Sequence, residues 1–131
     1  MSEKKFKVAA VQMVSSHDVE RNLEDAGKLI AEAAGLGAKL VGIPEYFCLM
    51  GMEDGDKLKV RETEGSGPIQ AFLSNTAKQH GIWLVGGTAP LCTATPGRVR
   101  NASLVYDERG QRVARYDKIH LFGFQIGRAH V

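Results

Sequence analysis

Three short apolar segments, residues 6–13 (FKVAAVQM), 40–43 (LVGI) and 82–88 (IWLVGGT), are separated by two stretches whose apolar residues recur at helical spacing. This alternation constrains the fold more than any other feature of the chain. Successive parallel strands need a crossover long enough to hold a helix, so the order β-α-β-α-β implies an α/β sheet with parallel strands and helices packed on it. Residues 6–13 are apolar on both faces, the pattern of a central strand covered on both sides. Asp18 is suited to cap the first helix, with Glu20 in its first turn. Leu23, Ala26, Ile30 and Ala33 then fall on one face, and Gly35 and Gly37 end it.

The second helix is expected over 68–80, opened by Pro68, stopped by Gly81, and faced inward by Ile69, Phe72, Leu73 and Thr76. Before it, residues 51–67 are polar and rich in glycine, which predicts a loop with at most a short helix, lying as a cover over the segment that follows strand two. Residues 89–97 read as a Pro/Thr loop. Residues 99–106 and 111–117 form a hairpin around Asp107-Glu108-Arg109-Gly110.

A chain of 131 residues has room for one domain with a real core, and 44% hydrophobic with 24% charged residues is ordinary for a soluble protein. The net charge of +2, without a basic block, supplies no argument for nucleic acid or an anionic membrane as partner. No apolar run is long enough to span a bilayer. Cys48 and Cys92 lie apart without metal-ligand spacing, and His17, His80, His120 and His130 are scattered, so neither a metal nor a cofactor is expected. Reduced thiols and a cytoplasmic location are the corresponding expectation.

Two charged residues stand out against this background. Glu45 follows strand two directly after Pro44, walled by Tyr46, Phe47 and Cys48; Lys118 follows the last hairpin strand in YDKIHLF, with His120 two residues on. Each alone has a plain reading, a solvated turn carboxylate and a lysine snorkelling from an edge strand. Together, at the C-terminal ends of strands where α/β folds keep their sites, they suit one pocket. A buried carboxylate of raised pKa can serve as a general base and an ammonium can stabilise an oxyanion, which suits attack on an amide or nitrile carbon. Two other readings remain open: a non-catalytic α/β small-molecule-binding module, for which Gly86-Gly87-Thr88 is a weak anion-cradle signal, and Cys48 as a nucleophile beside Glu45.

FKVAAVQM, GIPEYF and YDKIHLF, in this order and at these separations, resemble the N-terminal half of a nitrilase-superfamily carbon–nitrogen hydrolase of the amidase-like branch. The resemblance covers residues 6–125 and implies an α-β-β-α sandwich truncated to its N-terminal half, with residues 1–125 a partial hydrolase domain. It implies Glu45 as general base and Lys118 as the cation that stabilises the tetrahedral intermediate, with Tyr46, Phe47, Cys48 and His120 as candidates for the substrate pocket. It further implies a small-molecule amide substrate, an ω-amide or deaminated glutathione, and a full-length homodimer. The family's cysteine nucleophile lies well beyond the lysine motif, as does its second glutamate. Neither Cys48 nor Cys92 matches that position, so the nucleophile is absent from this chain and the chain alone is expected to be inactive. Residues 126–131 (IGRAHV) match what a sequencing adaptor encodes in one frame, and are expected to be a non-native tail.

Overall fold

The computed structural model describes residues 5–51 and 55–118. The elements are β1 (Lys7–Ala10), α1 (Val19–Gly35), β2 (Ala38–Ile43), α2 (Asp56–Val60), α3 (Pro68–His80), β3 (Trp83–Gly86), β4 (Ala89–Cys92), β5 (Val99–Tyr106) and β6 (Arg112–Asp117). The expected β-α-β-α-β-hairpin order is present, and α2 is the short helix anticipated in the polar segment. Asp18 caps α1, its carboxylate accepting the Arg21 N–H at 3.3 Å. Pro68 opens α3 and Gly81, in the left-handed conformation, closes it.

The six strands of the described residues form one sheet. β1, β2 and β3 are parallel, and β5 runs antiparallel to β3. β3 pairs with Val105 and Tyr106 of β5, β4 pairs with residues 99–102 of β5, and β6 overlaps both of those stretches. A strand has only two edges, so β3 and β4 share one edge of β5 end to end while β6 takes the other. The expected loop over 89–97 is therefore corrected: its first four residues, Ala-Pro-Leu-Cys, are a strand. Pro90 enters it because its carbonyl still accepts, from the Glu62 N–H at 3.0 Å, while its missing N–H asks for no partner.

Helices α1 and α3 cover one face of the sheet. Ala26, Ile30, Leu73 and Ala77 pack with Val41, Ile43, Leu84, Ala102 and Leu104 in a single buried cluster. Each fully buried aliphatic side chain of this set contributes roughly 1.5–3 kcal/mol of transfer free energy. The opposite face carries no helix among the described residues. Val8, Leu40 and Trp83 lie in register across β1, β2 and β3 on that side, with Val8 62% and Trp83 41% exposed. Tyr116 of β6 is exposed as well. The expectation of β1 as a central strand covered on both sides is thus not met. β1 lies at a sheet edge, and its outer apolar residues face solvent because no described layer meets them.

The start of α3 uses a carboxylate that helix-start patterns do not flag. Gly67, at the cap position, has no side chain to offer. Instead the buried Glu62 reaches back, its Oε2 accepting the Ile69 N–H at 2.6 Å and its Oε1 the Gln70 N–H at 3.0 Å. The Gln70 side-chain amide donates to the same Oε1 at 3.0 Å and to the Thr63 and Ser66 carbonyls. Two otherwise orphaned helix donors are satisfied by one negative group placed at the positive end of the helix.

Candidate active site

β2 ends at Ile43, and the turn that begins at Pro44 is shaped by contacts from α2 and from the connection between β3 and β4. Tyr46 adopts φ +57°, a left-handed conformation that costs a non-glycine residue about 1–2 kcal/mol. Three contacts hold it there: its N–H donates to the Thr88 hydroxyl at 3.0 Å, the Phe47 N–H donates to the Pro44 carbonyl at 3.2 Å, and the Lys57 ammonium lies 4.1 Å over the ring. The sharp turn lets Glu45 point outward while Phe47 drops into the core and packs on Phe72 with ring centroids 6.4 Å apart. Gly87 makes room for this, since a Cβ there would collide with the Pro44 carbonyl and the Phe47 ring. Gly87 and Thr88 therefore serve close packing of the Glu45 turn, while Gly86 makes room for Leu73 and the Leu104 carbonyl.

Lys118 follows β6, where its N–H donates to the Asn101 carbonyl at 2.9 Å. Its ammonium reaches Glu45 Oε2 at 2.7 Å, joining residues 73 apart in the chain. The bond to Glu45 is the main reason the Lys118 pKa is raised from 10.5. As far as Lys118 is concerned, the stabilisation is present below that ordinary lysine value and is lost as pH climbs through the raised one. Its size is small, below about 1 kcal/mol, because Glu45 is 55% and Lys118 22% exposed. The expectation of a buried Glu45 is corrected accordingly: no described element covers the carboxylate.

Of the expected pocket residues, Tyr46 lines the site, with Lys57 and Lys118 both within 6 Å of its ring centre, at 4.1 and 5.7 Å. Phe47 and Cys48 belong to the core instead, at 0% and 1% exposure. Burial pushes the Cys48 thiol up to about 12, and its Sγ donates to the Thr88 carbonyl at 3.6 Å. A protonated, enclosed thiol is poorly suited to nucleophilic attack, which counts against the reading of Cys48 as the attacking group. His120 lies outside the described residues, as do residues 126–131. Asp117 pairs with Arg115 at 2.7 Å and takes no part in the site.

Pattern reading did not find three contributors. Lys57, on α2, donates to Asn101 Oδ1 at 3.3 Å. Asn101 thereby engages both lysines, one through its side chain and one through its backbone. Buried Asn22 accepts from the Ser16 N–H at 2.8 Å and donates to the Cys48 carbonyl at 2.8 Å, tying α1 to the Glu45 turn. An asparagine on an otherwise apolar helix face beside Leu23 was the one available signal for it. Among the described residues no cluster of His, Cys, Asp or Glu could hold a metal ion.

The sequence model of the carbon–nitrogen hydrolase family matches residues 7–130. The chain is 34% identical over 124 residues to a deaminated glutathione amidase of Synechocystis, covering 94% of this chain and 45% of that protein. It is 34% identical over 125 residues to a chloroplastic omega-amidase of Arabidopsis thaliana, covering 93% and 33%. Its fold superposes on the C. elegans NITFHIT protein with a TM-score of 0.74 at 26% identity, covering 95% and 30%. The chain thus spans less than half the length of these proteins.

Proposed function

Because the chain belongs to the carbon–nitrogen hydrolase family, we propose that Glu45 and Lys118 are the general base and oxyanion-stabilising cation of an enzyme that cleaves non-peptide amide bonds of small molecules. The observation that carries this reading is the 2.7 Å contact between the two side chains, brought together at the ends of β2 and β6. A pair worth so little to stability, held by a strained turn, is better understood as chemical machinery than as a fold staple.

In this mechanism a cysteine supplied from beyond this chain gives its proton to Glu45 and attacks the amide carbon. Lys118 stabilises the negative oxygen of the tetrahedral intermediate. Glu45 passes the proton to the departing amine, ammonia leaves, and water cleaves the thioester to release the acid. Support for an outside nucleophile comes from the buried Cys48 thiol and from the chain's short span beside its relatives. The two relatives, by name an omega-amidase and a deaminated glutathione amidase, favour a small amide of the omega-amide or deaminated-glutathione kind as the substrate class.

In the full-length protein, Glu45→Gln and Lys118→Ala are each expected to abolish ammonia release while leaving the circular dichroism spectrum and melting temperature close to wild type. Ammonia release retained in either variant overturns the assigned roles. The 131-residue chain on its own is expected to release none, and turnover by it would overturn the outside nucleophile.

A further inference from the structure

We propose that Lys57 is a specificity-determining residue that holds a carboxylate of the substrate remote from the scissile amide, beside the Glu45–Lys118 pair. This inference rests on the hydrolase reading above and goes beyond it by assigning the anion site to a residue of α2.

The placement of Lys57 is unusual for a surface lysine. Its ammonium lies 4.1 Å above the Tyr46 ring and 3.3 Å from Asn101 Oδ1. Among the described residues Lys57 forms no ion pair with a carboxylate, so its ammonium is held by the ring and the amide oxygen. Glu45 attracts it through space, but Glu45 Oε2 is already bonded to Lys118. Half-burial and the nearby Lys118 charge both work against the ammonium and lower its pKa from 10.5. A lysine serving only to cover Tyr46 could be replaced by an uncharged chain of similar length with no penalty, and the desolvation would vanish. A cation kept in this position, facing an aromatic ring and an amide oxygen, has the donors to take up an anion that the substrate brings.

The geometry also separates the two lysines by task. Lys118 is engaged by the Glu45 carboxylate, where charge develops on the reacting carbonyl. Lys57 is held by the Asn101 side chain and not by the carboxylate pair, and it retains donor capacity, since an ammonium has three N–H groups and Asn101 takes one. A carboxylate placed there gains a charge-assisted hydrogen bond in a partly dry setting, worth about 1.5–3 kcal/mol, or roughly a ten- to hundredfold preference.

The test compares ammonia release from succinamate, which carries a carboxylate, with that from butyramide, its uncharged counterpart, in full-length wild type, Lys57→Met, Lys57→Arg and Glu45→Gln. Lys57→Met is expected to lower the succinamate-to-butyramide ratio of kcat/KM at least tenfold, chiefly through the succinamate KM, and to melt somewhat lower than wild type because Asn101 Oδ1 and the Tyr46 ring lose their cation. Lys57→Arg is expected to restore most of the ratio. A ratio unchanged in Lys57→Met, with Glu45→Gln inactive on both amides, overturns the Lys57 assignment alone. Glu45→Gln active on both amides overturns the hydrolase reading itself, and the inference with it. A Lys57→Met variant that loses both activities equally shows a merely structural lysine and also overturns the assignment.

Discussion

Replacing Gly87 with alanine should uncouple the site from the fold more sharply than any substitution at the charged residues themselves. Gly87 has φ +52°, where an alanine costs about 1–2 kcal/mol in backbone strain. The new Cβ would also overlap the Pro44 carbonyl and come within 2.9 Å of Phe47 Cδ1. Neither neighbour yields easily: Pro44 closes β2, and Phe47 is fully enclosed at 0% exposure. Overpacking of this kind adds about 1–3 kcal/mol, so a total of about 2–5 kcal/mol is expected. The relief available is a displacement of Pro44-Glu45-Tyr46, which breaks the Tyr46–Thr88 hydrogen bond and moves the carboxylate away from Lys118. A shift of about 1 Å at a reacting group costs on the order of a hundredfold in turnover. The assay is paired: urea unfolding followed by fluorescence, and ammonia release, both on the full-length protein. Gly35→Ala is the control, since nothing lies within 4 Å of its added Cβ, and it should be neutral or gain up to about 1 kcal/mol. Wild-type stability and turnover in Gly87→Ala would refute the claim that the approach of Gly87 to Pro44 sets the Glu45 turn.

Glu62→Ala removes the carboxylate that accepts from two backbone N–H groups and from the Gln70 side chain at the start of α3; a loss of about 2–4 kcal/mol in urea unfolding is expected, and an unchanged midpoint would show that the helix start is satisfied otherwise. Thiol titration at pH 8 in native buffer should modify exposed Cys92 at once and leave Cys48 unreacted, because with a pKa of about 12 only about one part in ten thousand of Cys48 is thiolate; both should react in 6 M guanidinium, and rapid native modification of Cys48 would contradict its enclosure. The 131-residue chain alone should bind a hydrophobic dye and aggregate through the bare face that carries Val8 and Trp83, and Val8→Thr with Trp83→Thr should reduce both effects; a monomeric, dye-silent chain would argue against an available apolar face.

The element order, the N-cap at Asp18, the stop at Gly81 and the short α2 were all legible from residue patterns, because each depends on neighbours within a few positions. Glu45 and Lys118 were legible as strand-end charges for the same reason, since each sits at a break in apolar periodicity. β4 was not, because Ala-Pro-Leu-Cys has no alternation of its own and is a strand only through pairing with β5. β1 was misread as central for the complementary reason: composition shows that a segment is apolar, while the pairing of other strands decides whether anything covers it.

The site divides along the same line. Sequence alone determined which charged groups end β2 and β6, and which glycines and proline permit abrupt turns there. Only the tertiary structure decided that Glu45 meets Lys118 at 2.7 Å, that Cys48 is sealed into the core, and that Lys57 and Thr88 close around Tyr46. Those contacts join residues from 11 to 73 positions apart, and no local preference of the chain encodes them. They follow from the sheet register, which brings the ends of β2 and β6 and the start of β4 to one place, and from the space that Gly87 leaves beneath Pro44.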